Sequence, residues 1–165
     1  MTEIKLNIEN LTESERKQLM ELVEKGSKTE SKAWKPKYGE MFWRVGGVDG
    51  PYSLRWANYD GDELLYSIGN CFKTKEEAEF AIERLKIRAE LQRYADEHNE
   101  PIDWDNNRQN KYGITYSHEY KELKVWFTLG IKDAFQIYFT SEEIAKAAIK
   151  AVGEERIKKY LFEVE

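Results

Sequence analysis

Two segments of the chain carry the same motifs in the same order, which limits the folds the chain can adopt. Lys37-Tyr38-Gly39 precedes predicted strands that lead to Thr74-Lys75-Glu76-Glu77, and Lys111-Tyr112-Gly113 precedes strands that lead to Thr140-Ser141-Glu142-Glu143. Each four-residue sequence is a capping box, in which a hydroxyl and a carboxylate satisfy backbone N–H groups where a helix begins. Each segment therefore predicts an antiparallel three-stranded meander followed by one helix.

The repeated order has two interpretations. The capped helix starts lie 66 residues apart and the Lys-Tyr-Gly motifs 74 apart, so a duplicated module would carry extra turn residues in its first copy. Alternatively, any meander that leads into a capped helix produces this order. In either case each unit has a one-faced sheet that must be covered.

Alternation of apolar residues and turn signals predict the other elements. The predicted fold class is α+β, with antiparallel sheets and packed helices and two repeated meander-plus-helix modules as one arrangement. Strands are predicted near 3–8, 40–46, 52–57, 63–67, 112–117, 123–129 and 134–139, and helices near 12–25, 75–97, 141–152 and 154–161. The predicted organisation is an N-terminal strand and helix (1–25), a linker (26–37), a first module (38–98), a loop (99–110) and a second module with C-terminal helices (111–165).

Composition narrows the classes of function. The net charge of −5 opposes non-specific coating of nucleic acid, and a single cysteine, Cys71, permits neither an internal disulfide nor a cysteine-based zinc site. The N-terminus shows no signal-peptide pattern, and no apolar run approaches the roughly 20 residues of a membrane span. These features predict a cytoplasmic protein that does not associate with membranes.

Several motifs together resemble a family of small accessory proteins from phages and prophages of Gram-positive bacteria. The residues that carry the resemblance are Trp34-x-Pro36-x-x-Gly39-Glu40, Gly69-Asn70-x-Phe72-x-Thr74-x-Glu76-Glu77-Ala78 and Ile102-Asp103-Trp104. The resemblance implies no catalytic residue or cofactor. It implies a context, because such proteins often inhibit host defence systems such as CRISPR nucleases.

An acidic segment around the predicted 99–110 loop is the first candidate for partner binding. Its carboxylates could face a basic groove on a host protein, such as a defence nuclease, and Trp104 is its candidate interface aromatic. The alternative is a solvated loop. The candidate residues are Asp96, Glu97, Glu100, Asp103, Trp104 and Asp105.

A basic and aromatic segment is the second candidate. Its lysines and tryptophans could contact phosphates and stack on bases, as in binding or sequestration of nucleic acid or a signalling nucleotide. The alternative is a solvated linker with Trp34 anchored in the core. The candidate residues are Lys28, Lys32, Trp34, Lys35, Lys37 and Trp43.

No motif predicts catalysis, a metal site or a cofactor. His98 and His118 lack ligands at metal-binding spacing, and Glu76-Glu77 and Glu142-Glu143 lie where acids stabilise a helix N-terminus. The expected function is therefore non-enzymatic binding and inhibition of a host defence macromolecule, with nucleic-acid or nucleotide binding as the alternative. Unpaired sheet edges would also be compatible with a homodimer.

Overall fold

A computed structural model describes residues 12–19, 33–46 and 50–164. The chain divides into two compact units, Met1–Lys35 and Pro36–Glu165. In the first unit, residues 13–19 form helix α1. The backbone N–H of Thr12 donates to the Glu15 carboxylate at 2.8 Å and the Thr12 hydroxyl accepts the Glu15 N–H at 3.4 Å, so a capping box begins this helix. The predicted strand at 3–8, the end of the first helix and most of the 26–37 linker lie outside the described residues.

The second unit combines helices with two small antiparallel sheets, which confirms the α+β class. Its strands form two hairpins, β1 with β2 and β3 with β4. In chain order the elements are β1 (Met41–Arg44), β2 (Tyr52–Arg55), α2 (Asp60–Ser67), α3 (Lys75–His98), β3 (Lys111–Ser117), β4 (Glu122–Thr128), α4 (Glu142–Val152) and α5 (Glu154–Leu161).

The third strand predicted for each meander is wrong. Residues 63–67 belong to α2, whose first turn carries Asp60, Asp62 and Glu63. The Asp62 carboxylate accepts the backbone N–H groups of Ala57 and Tyr59, so it stabilises the chain reversal into a helix. In the segment 134–139, where a strand was predicted, the structure has only an isolated β-bridge at Phe139.

In place of the third strand predicted for each module, the structure has a single isolated β-bridge. Trp43 in β1 pairs with Phe72, and Tyr112 in β3 pairs with Phe139. Beside the first bridge, the Asn70 side chain accepts the N–H of Val45 at 2.7 Å and donates to the Val45 carbonyl at 2.9 Å. The amide thus makes the two hydrogen bonds that a strand backbone would otherwise supply.

The two predicted modules share a structural feature, but it does not lie at the Lys-Tyr-Gly motif that suggested a repeat. Tyr112 lies within β3, whereas Tyr38 lies in a turn before β1. The residues that match in structure are the bridge phenylalanines, Phe72 and Phe139, each two positions before a helix cap, Thr74 or Ser141.

The main core joins the long helix of the first segment to the second hairpin. Helix α3 packs on α4 and α5, so the two predicted modules share apolar contacts. The buried residues of this core are Ile87, Leu91, Ala95, Ile114, Phe139, Ala145, Ala148, Val152 and Ile157. Around the first hairpin, Phe42 and Trp56 are also buried and meet edge to face at 5.7 Å.

Candidate functional site

The 99–110 loop follows α3 and is anchored at its start. The Asn99 side chain donates to the Tyr138 carbonyl at 2.8 Å and accepts the Thr140 N–H at 2.9 Å. Further along, the Gln109 amide accepts the N–H of Asp103 and donates to the Pro101 carbonyl. The loop is therefore held by side-chain hydrogen bonds although it has no regular secondary structure.

Trp104 lies half-buried within this loop. Its ring meets Tyr138 edge to face at 4.9 Å, and the ammonium groups of Lys111 and Lys132 lie 5.5 and 5.2 Å from the ring centroid. Cations at this distance are attracted to the face of an indole. These contacts hold the Trp104 side chain against neighbouring residues, so it does not project freely from the loop.

Lys111 stabilises the loop through hydrogen bonds of its side chain. Its side chain is fully buried, and its ammonium donates to the carbonyls of Asn106 and Leu129, each at 2.8 Å. These two bonds tie the loop to the segment after β4. Buried lysines need such partners because removing the ammonium from water is costly.

A groove of about 360 Å³ opens between the end of α3, this loop and the segment 132–138. Its volume lies at the lower end of the range for small ligand pockets. We call it the Trp104 groove. It is lined by Gln92, Ala95, Asp96, Asn99, Glu100, Ile102, Trp104, Lys132, Gln136, Ile137 and Tyr138.

The structure brings three of the six predicted acidic-segment residues together. Asp96, Glu100 and Trp104 line the Trp104 groove, whereas Glu97, Asp103 and Asp105 do not. The Asp103 carboxylate instead accepts the N–H of Asp105 at 3.0 Å within a turn. The groove therefore offers two carboxylates against one lining ammonium, that of Lys132.

Two large apolar side chains that are next in sequence to the lining residues Lys132 and Gln136 are exposed. Ile131 is 75% exposed and Phe135 is 78% exposed. Exposed aromatic and aliphatic side chains at the edge of a concave surface are typical of contacts with another molecule. They extend the candidate surface beyond the groove itself.

The basic and aromatic candidates are divided between the two units, and only some of them fall within the described residues. Lys28 and Lys32 lie outside them, and Trp34 and Lys35 belong to the first unit. In the second unit Lys37 is exposed, and Trp43 is half-buried in β1 with its backbone bridged to Phe72.

Sequence reasoning did not predict Lys132, Gln136 and Tyr138 among the residues that line the groove, or Lys111, which holds the loop. Tyr138 and Gln136 fell in a predicted strand, and a lysine gives no signal for burial. Gly113 offered one clue, since a side chain there would come within 3.0 Å of both Gln136 and the Trp126 indole. A glycine inside a strand often marks such close packing.

The histidines and the cysteine lie apart from this groove. His98 Nδ1 lies 2.9 Å from the Tyr94 carbonyl, His118 meets Tyr116 edge to face, and Cys71 is half-buried before α3. Within residues 12–19, 33–46 and 50–164, no cluster of three or more His, Cys, Asp or Glu side chains is placed to hold a metal ion. The same ranges contain no helix long and apolar enough to cross a membrane.

Comparison with known proteins gives no assignment. No family model, no curated protein and no solved structure matches the chain.

Proposed function

We propose that this protein is a non-enzymatic binding protein that is encoded by a phage or prophage and inhibits a host defence macromolecule. In this proposal the Trp104 groove receives a basic segment of a host protein. The phage context rests on the motif resemblance alone. The binding role rests on the site.

The observation that carries the proposal is the meeting of Asp96, Glu100 and Trp104 in one groove. Exposed Ile131 and Phe135 are neighbours in sequence of residues that line it. Carboxylates would attract lysine or arginine side chains of a partner. The indole edge and the exposed apolar side chains would supply desolvated contacts. The loop needs little reordering on binding, because Lys111 and Asn99 already hold it.

The experiment is a pull-down of the tagged full chain from a lysate of the bacterial host, with bound protein and bound nucleic acid separated. The double variant Asp96→Asn with Glu100→Gln keeps the shape of the groove but removes its charges. Glu97→Gln is the matched control, because Glu97 is an exposed acid on the same helix outside the groove.

The proposal expects one host protein bound by the wild type and by Glu97→Gln, and lost with the double variant or at raised salt. The captured protein would then be assayed with and without this chain, and inhibition of a defence nuclease would support the full proposal. Retention by the double variant would contradict the groove as the binding site. Nuclease-sensitive material without a protein partner would instead favour the nucleic-acid alternative and the 28–43 residues.

A further inference from the structure

A second cavity shares the lining residues Gln136 and Ile137 with the Trp104 groove. It is bounded by the middle of α3, by β3, by residues 135–137 and by the residues after α5, and its volume is about 340 Å³. Its lining includes Leu91 and Ile114, which are almost completely buried, so part of its surface is apolar. We call it the Arg88 cavity.

Two arginines of α3 line this cavity, and their environments differ. Arg84 Nε donates to the Tyr160 carbonyl at 2.9 Å, and its guanidinium pairs with the Glu163 carboxylate. Arg88, one turn later, is half-buried and has no hydrogen-bond or ion-pair partner within the part of the chain that the structure describes. The charge of Arg84 is therefore largely balanced, and that of Arg88 is not.

The Arg88 guanidinium meets no protein acceptor in the described residues, so its N–H donors are available to a ligand. An anion that entered the cavity would supply acceptors in the planar geometry that a guanidinium prefers. Arg84 and Glu163 offset each other's charge, so Arg88 supplies the net positive charge of the cavity lining. The charge balance thus suits a small anion with one acidic group near Arg88.

The apolar surface indicates what the rest of the ligand would be. Phe162 is half-buried and Phe135 is 78% exposed, and both rings border the cavity above the buried aliphatic side chains. Aromatic rings at such a position favour a flat apolar group. The volume lies at the lower end of the range for small-ligand pockets.

We infer that the Arg88 cavity binds a small organic anion that carries a flat ring, with its acidic group on Arg88 and its ring beside Phe135 and Phe162. The acidic group can be a phosphate, as in a mononucleotide, or a carboxylate, as in an aromatic acid. Apart from Gln136 and Ile137 this cavity shares no lining residue with the Trp104 groove, and the inference does not depend on the proposed function.

The test uses titration calorimetry on the full chain with adenosine 5′-monophosphate, indole-3-acetate, inorganic phosphate and acetate. The inference expects one-to-one binding of at least one ring-bearing anion, with the matching anion without a ring at least about tenfold weaker. Binding of the mononucleotide alone would assign a phosphate, and binding of indole-3-acetate alone a carboxylate. Binding by neither ring-bearing anion would overturn the inference.

Variants test the position of the site. Arg88→Gln should weaken the binding about tenfold or more, since it removes a charge-assisted hydrogen bond. Arg93→Gln should leave it unchanged, because Arg93 is exposed on the same helix and does not line the cavity. Phe135→Ala, at an exposed position that carries little stability, should also weaken it. Binding that Arg88→Gln and Phe135→Ala both leave intact would overturn the assignment.

Discussion

At the scale of single residues, Lys111 shows how a polar side chain can organise a loop. A fully buried lysine is rare and needs hydrogen-bond acceptors. Here the acceptors are two backbone carbonyls from opposite sides of the site, those of Asn106 and Leu129. The ammonium therefore links the loop to the segment after β4, in addition to the loop's own backbone bond from the Gln109 N–H to the Asn106 carbonyl.

Replacement of this lysine should cost stability. Lys111→Met retains a long apolar side chain but removes both hydrogen bonds, which should lower the free energy of unfolding by about 2 kcal/mol. Urea denaturation followed by circular dichroism measures the change. The control is Lys150→Met, at an exposed position on α4, with an expected change of at most about 0.5 kcal/mol. Equal stability of the two variants would contradict the role given to Lys111.

At the scale of elements, the caps explain why the sequence predicted helices better than strands. The Thr74 hydroxyl accepts the Glu77 N–H, as the motif predicted. At α4 the sequence predicted Thr140 as the cap in a capping box, and this was wrong, because the Ser141 hydroxyl accepts the Ile144 N–H at 3.1 Å. Because Thr140 and Ser141 both carry a hydroxyl, the sequence alone does not determine which of them caps the helix. In the structure the Thr140 N–H donates to the Asn99 side chain, and Ser141 is the cap.

The cap of α4 can be tested directly. Ser141→Ala should destabilise the fold by about 1 kcal/mol, because one N–H of the first turn loses its acceptor. Ser141→Asp keeps an acceptor and adds a negative charge at the positive end of the helix dipole, so it should retain stability close to the wild type. Thermal denaturation of both variants measures this. An Asp variant as unstable as the Ala variant would contradict the capping role.

A salt bridge between two helices should make stability depend on pH. Arg156 of α5 donates two hydrogen bonds to Glu90 of α3, at 2.9 and 3.2 Å, and these bonds hold the pKa of the Glu90 carboxyl below its ordinary value. A carboxyl whose pKa is lower in the folded state stabilises the fold at higher pH. That contribution is lost as the pH falls below about 4.3 and through the folded pKa.

Glu90→Gln isolates this contribution. At pH 7 the variant should be less stable than the wild type, by about 1 kcal/mol or less because both partners are partly exposed. The difference should shrink as the pH falls from 5 to 3, since the wild-type carboxyl then becomes neutral. Urea denaturation at several pH values measures it, with Glu97→Gln as the control. A difference that stayed constant over this range would contradict the assignment.

At the scale of the whole molecule, the α+β class and helices α3, α4 and α5 were predictable, because caps and apolar periodicity are local signals. The strand predicted at 63–67 was wrong because Asp62 bonds to the preceding backbone and turns that segment into a helix. The acidic segment is visible in the sequence as a candidate. Which of its residues line the groove, namely Asp96, Glu100 and Trp104, depends on Tyr138 and Lys132, which are distant in sequence. Such contacts leave no local pattern.

The distribution of the core also predicts which part of the chain folds alone. Within residues 12–19, 33–46 and 50–164, every residue of the main core lies between 87 and 157, in the unit Pro36–Glu165. A fragment of residues 36–165 should therefore fold, with far-ultraviolet circular dichroism of an α+β protein and one cooperative unfolding transition. Its urea midpoint should lie close to that of the main transition of the full chain, since it retains the buried apolar surface. A fragment that unfolds without cooperativity, while the full chain unfolds cooperatively, would show that the core needs residues 1–35.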